Sequence, residues 1–105
     1  MNTDDLMDSW VWFWPIVNEG AMRFGGSIVS GIRSEDRNEM VGGHPESRHV
    51  VGLAADIEFL PDTDGNASRR CWLCFDWLKT HGLRGYVRQS GTSLHIQDRS
   101  ASAPT

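Results

Sequence analysis

The chain has 105 residues, 10 basic against 14 acidic, and a net charge of −4. That suits a single small domain with a modest core, to which a bound metal would add useful stability. No basic block interleaved with stacking aromatics is present, which sets nucleic acid aside, and no apolar run approaches the roughly 20 residues of a membrane span.

Met1-Asn2-Thr3-Asp4-Asp5 is acidic where a secretory leader would be basic, so the expectation is a chain without a signal peptide. Two cysteines, Cys71 and Cys74, are too few for a disulfide framework; packing, and possibly a metal, must hold the fold. This fits a reducing compartment.

From residue 3 to 24, Trp10, Phe13, Trp14, Val17, Ala21 and Phe24 recur at helical spacing, as one buried helix face requires. Pro15 either kinks this segment or occupies the first turn of a second helix, where its missing N–H costs nothing. The second arrangement is expected, and the aromatic run Trp10-Val11-Trp12-Phe13-Trp14 is assigned to the core. Gly25-Gly26 stops the helix.

Ser27 to Arg33 predicts a strand, with Val29, Gly31 and Arg33 on one face and Ile28, Ser30 and Ile32 on the other. Ser34 to Met40 is polar and charged and reads as loop, with room for one helical turn. Ala54 to Leu60 predicts a second strand, with Asp56 and Glu58 on one face and Ala55, Ile57 and Phe59 turned to the core. Pro61 to Asn66 is turn-rich; it has the composition of a calcium loop but lacks the later acidic ligand. Ser68 is a candidate N-cap for a helix to about Thr80, stopped by Gly82. Cys71 and Cys74 lie in mid-helix, where they are expected to be buried thiols. Leu83–Gln89 and Thr92–Gln97 predict two further strands joined at Ser90-Gly91, with Ser93, His95 and Gln97 sharing a face. Residues 99–105 form a tail expected to be disordered, leaving 1–98 as the domain.

The chemistry concentrates in Gly42 to Asp56. There His49 and Asp56 stand in a glycine-punctuated, largely apolar stretch, a costly setting for polar groups unless they are paired or liganded. Imidazole and carboxylate suit Zn²⁺, which in catalytic sites takes three protein ligands and leaves one position open. His95 is the candidate for the third. A hydrogen-bonded cluster of the same three side chains is the competing reading.

The segments Ile28-Val29-Ser30-Gly31-Ile32-Arg33-Ser34, Asn38, Val41-Gly42-Gly43 and Ser47-x-His49-x-x-Gly52-x-Ala54-x-Asp56, with His95 in a short strand, resemble the zinc D-alanyl-D-alanine peptidase family. That family includes D,D-carboxypeptidases and phage L-alanyl-D-glutamate endolysins. The resemblance runs from about Ile28 to Asp98. It implies an α+β fold of the hedgehog/DD-peptidase type, a small and mostly antiparallel sheet packed against two or three helices. It implies one Zn²⁺ held by His49, Asp56 and His95, with Arg33 binding substrate and stabilising charge and Ser47 near the substrate; Gln97, on the face of His95, is assigned to substrate as well. The implied activity is hydrolysis of the peptidoglycan stem peptide by a monomer, phage-associated or cytoplasmic until release. In the family an acid/base commonly stands three residues before the last histidine, or a histidine two before it; here those positions are Thr92 and Ser93. Glu58 is the first candidate to replace them, ahead of Asp98, then His44, His81 and Glu46. A zinc-stabilised module that binds peptidoglycan without cleaving it is the alternative.

Overall fold

The computed structural model describes residues 9–30, 40, 53–61 and 65–98. Several expected features lie outside the described residues: the start of the first helix at residues 3–8, Arg33 and the end of its strand, the loop from Ser34, the run from Gly42 to Val51, residues 62–64 and the tail 99–105.

The aromatic run opens as a single π-helical turn, Ser9–Phe13, and continues without a break into helix α1, Trp14–Phe24. Pro15 sits in the first turn of α1, but the residues before it are helical as well (Phe13 φ −64°, ψ −58°), so the expected break into two helices is corrected: the proline interrupts the bonding of one continuous helical run, at the point where the π-helical turn gives way to α-helix. Phe13, Val17 and Ala21 are buried along one side, and Trp12 and Trp14 pack edge-on against Phe13 at ring separations of 6.2 and 5.4 Å. Phe13, with Trp12 and Trp14 packed against it, therefore builds core as the spacing suggested, whereas Val11 of the same run is exposed and the Trp10 side chain lies outside the description. Gly25 ends the helix in the left-handed conformation (φ 71°), which glycine adopts without penalty.

Helix α2 spans Ala67–Thr80. It begins one residue before the Ser68 cap expected from sequence: Asn66 is the N-cap, without a side-chain cap bond, and its carbonyl accepts the Arg70 N–H at 2.9 Å. Burial of Ala67 in the core draws that residue into the first turn. Arg70 fastens three segments together. Its Nη1 donates to the carbonyls of Phe24 (3.1 Å) and Gly25 (3.0 Å), and its Nη2 donates to that of Leu60 (2.8 Å).

Four strands, β1 (Ser27–Ser30), β2 (Ala54–Glu58), β3 (Arg84–Val87) and β4 (Ser93–Gln97), form one antiparallel sheet in the order β1-β2-β4-β3. Ala55, Ile57, Phe59, Leu94 and Ile96 go to the core shared with Phe13, Val17, Cys71, Cys74, Phe75 and Leu78 of the helical layer. This is the α+β layering that the family resemblance implied. No helix among the described residues is long and apolar enough to cross a membrane.

Strict alternation fails in β1. Ile28 pairs with Ile57 but Ser30 pairs with Asp56, so Val29 is an extra residue in the ladder, a bulge that turns Ser30 to the face opposite Ile28. The expected grouping of Ile28 with Ser30 on one face is corrected accordingly. β3 approaches β4 so closely at Gly85 that an added Cβ would overlap the backbone carbonyl of His95.

Two predictions follow from this packing. Gly85→Ala forces backbone apart and should destabilise the domain by about 3 kcal/mol, the upper end for overpacking, read as a shift in the urea midpoint. Burial pushes the Cys71 thiol up to about 11, and burial together with Cys71 pushes the Cys74 thiol up to about 12. Both are raised above the ordinary 9.0, so the folded state favours the protonated thiols. Their contribution to stability is full below about pH 9 and is lost as pH rises toward those values. At about pH 8 a thiol reagent should modify the cysteines only after denaturant is added.

Candidate metal centre

Directly opposed residues in an antiparallel sheet share a face, and the register lays one row of side chains across all four strands. Ser30 pairs with Asp56, Asp56 with His95, and His95 with Tyr86. The row lies on the face opposite the hydrophobic core. On either side of it, Ala54 pairs with Gln97 and Gln97 with Arg84, while Glu58 pairs with Ser93.

The middle of this face is closed to solvent. His95 is 0% exposed, Gln97 1% and Asp56 8%. Tyr86 stacks on the imidazole with ring centroids 5.2 Å apart and planes 24° from parallel. Nε2 of His95 lies 2.7 Å from Oε1 of Gln97, and Nδ1 lies 3.1 Å from Oδ1 of Asp56. An amide oxygen only accepts, so the proton of a neutral ring belongs on Nε2. Nδ1 then turns a lone pair toward a carboxylate oxygen, an approach that a second ring proton or a cation would satisfy. Arg88 donates from Nη2 to the same Oδ1 at 3.0 Å, its side chain 38% exposed, with its guanidinium 5.8 Å from the centre of the Tyr86 ring.

The Asp56 and His95 donors fit a shared zinc. Two atoms each about 2.0–2.1 Å from zinc at the tetrahedral angle stand about 3.3 Å apart, close to the 3.1 Å observed. Among the described residues no group of three His, Cys, Asp or Glu side chains converges on a metal position. His49, the third ligand implied by sequence, lies outside the described residues, as do Arg33 and Ser47.

Beside the pair is a cleft of about 410 Å³ lined by Val29, Asp56, Glu58, Arg88, Ser90, Thr92 and Ser93. Glu58 is exposed in it, one pleat repeat of roughly 7 Å along β2 from Asp56. Thr92 and Ser93 bring only hydroxyls. Asp98 is held at the other end of β4, its N–H bonded to the carbonyl of Leu53 at 3.2 Å, and His81 closes α2 with its ring 3.9 Å from that of Trp77. Gln97, expected at the substrate, is buried against His95.

Tyr86 and Arg88 were not among the residues singled out from sequence. A signal for them existed: with the hairpin turn at Ser90-Gly91, Tyr86 and His95 are equidistant from its centre, as are Arg88 and Ser93.

The class is thus a small α+β domain with a buried Asp/His pair at the centre of one sheet face, open to a polar cleft. The family model described as Peptidase M15 matches residues 17–97, which covers every described strand, and the chain belongs to that family. Its members are generally zinc-dependent peptidases. No curated protein and no solved structure matches the chain.

The burial order makes a prediction. Arg88→Ala removes one half of a partly exposed ion pair and should cost no more than about 1 kcal/mol. Asp56→Ala strips a partner from buried His95 and should cost about 1–3 kcal/mol. Urea unfolding of the metal-free variants ranks them, and the reverse order would contradict the central place of Asp56.

Proposed function

We propose that the protein is a zinc-dependent peptidase that cleaves the stem peptide of bacterial peptidoglycan, as a D,D-carboxypeptidase or as an endopeptidase of the endolysin kind. The observation that carries the reading is the 3.1 Å approach of Asp56 Oδ1 to His95 Nδ1, inside the span matched by the peptidase family. His49, Asp56 and His95 would hold the ion. Zinc in such a site supplies Lewis acidity toward the scissile carbonyl and makes water nucleophilic near neutral pH.

The protein's own side chains divide the remaining work. Glu58, on the cleft wall, accepts a proton from the attacking water and returns it to the leaving amine. Arg33 steadies the developing oxyanion or grips a substrate carboxylate, tasks suited to its forked and permanently charged group. Ser47 lies near the substrate in this reading, and the protein acts as a monomer on the cell wall, carried by or released with a phage.

Thr92 and Ser93, both in the cleft, favour a second reading: a zinc-stabilised module that binds the stem peptide without turning it over. Release of new amines from purified peptidoglycan by the zinc-loaded protein separates the two. The peptidase reading expects release that His49→Ala abolishes and that Glu58→Gln slows by about 10²–10⁴-fold, the usual range for general acid–base catalysis. Stoichiometric zinc and tight muropeptide binding without amine release would select the binding module. An unslowed Glu58→Gln would remove Glu58 from the proton transfer.

A further inference from the structure

Gln97 is a long polar side chain on the central strand with 1% of its surface exposed. Its Oε1 lies 2.7 Å from His95 Nε2, the shorter of the two approaches to that ring. A glutamine buried this deeply contributes little by packing that a leucine would not, yet its amide costs desolvation. The bond to His95 helps offset that cost. It also does something a packing residue cannot: it decides which ring nitrogen carries the proton.

We infer that Gln97 is a positioning residue for the metal centre: its side-chain carbonyl holds the proton of His95 on Nε2 and so commits Nδ1, the nitrogen beside Asp56, to the metal. The inference rests on the zinc reading above. Three observations converge on it. Nδ1, not Nε2, is the atom 3.1 Å from the Asp56 carboxylate. Tyr86 stacked on the ring face resists rotation of the imidazole out of that plane. Gln97 and His95 stand two residues apart on one face of β4, so strand geometry fixes their approach. Partners of this kind on the far nitrogen of a ligating histidine orient the ring and raise its basicity, and their loss typically weakens metal binding 10–100-fold.

The test uses the whole chain and zinc itself. Competition with a chromophoric chelator gives zinc affinity for the wild type, Gln97→Leu and Gln97→Glu, with circular dichroism and thermal melting of the zinc-free proteins as the fold control. Gln97→Leu, which keeps the bulk and loses the acceptor, should bind zinc about 10–100-fold more weakly while still folding. Gln97→Glu, which keeps an acceptor oxygen, should restore the affinity. Folded Gln97→Leu with wild-type zinc affinity overturns the inference.

A second measurement needs no variant. Two-bond proton–nitrogen correlation spectra of the zinc-loaded wild type should place the His95 proton on Nε2 and the metal on Nδ1. Metal on Nε2 overturns the inference even if Gln97→Leu fails to fold. A wild-type protein that takes up no zinc removes the reading beneath it as well, whereas one that binds stoichiometrically through Nε2 defeats only the role given to Gln97.

Discussion

Asp56 and His95 face one another across the two central strands, and most of the molecule can be understood as what it takes to keep a carboxylate and an imidazole together out of water. A buried charge is tolerated only when its surroundings answer it. Here Arg88 answers the carboxylate from the cleft side and Gln97 answers the imidazole from the closed side, while Tyr86 covers the ring. The pair is thus held by contacts from β3 and β4 as well as by its own approach, and each contact comes from a residue fixed in a ladder or just beyond one.

The opposite face of the same strands supplies the rigidity. Ile57, Leu94 and Ile96 alternate with Asp56, His95 and Gln97, so whatever anchors the apolar set also sets the polar one. The helices do the anchoring. Phe13 and Val17 from the first, and Cys71, Cys74 and Leu78 from the second, close over the sheet, and Arg70 ties the second helix to the end of the first and to the chain leaving β2. Stability and site geometry therefore share one packing problem, a common arrangement in so small a domain.

Much of this was legible in the residues. Alternation in Ala54–Glu58 and Ser93–Gln97 separated core from site, because a two-residue period leaves no freedom once one face is apolar. The ends of both helices and the start of α1 came within a residue; the start of α2 did not, because a buried alanine outweighed the better capping residue. Three things were hidden. The bulge at Val29 has no composition signal, since it reflects how β1 fits its neighbour rather than what it contains. The environment of Gln97 was hidden too: alternation put it beside His95, where it was assigned to substrate, and only the assembled structure closes that face. Glutamine at a strand position reads as a solvent-facing group until the third dimension takes the solvent away. Pairing β2 with β4 joins segments distant in sequence, which no local pattern specifies.

Among the described residues β3 is an edge strand, bonded to β4. Edge segments open at lower free energy than central ones, and this one carries Tyr86, the lid on the imidazole, and leads directly into Arg88, the cation on Asp56. Asp56 and His95 therefore sit on the innermost strands of the described sheet, while Tyr86 and Arg88, which cover them, hang from one of its two edges. Fraying of the hairpin arm would lift Tyr86 from the face of the His95 ring while the core stays assembled, so one side of the pair can loosen without the domain unfolding.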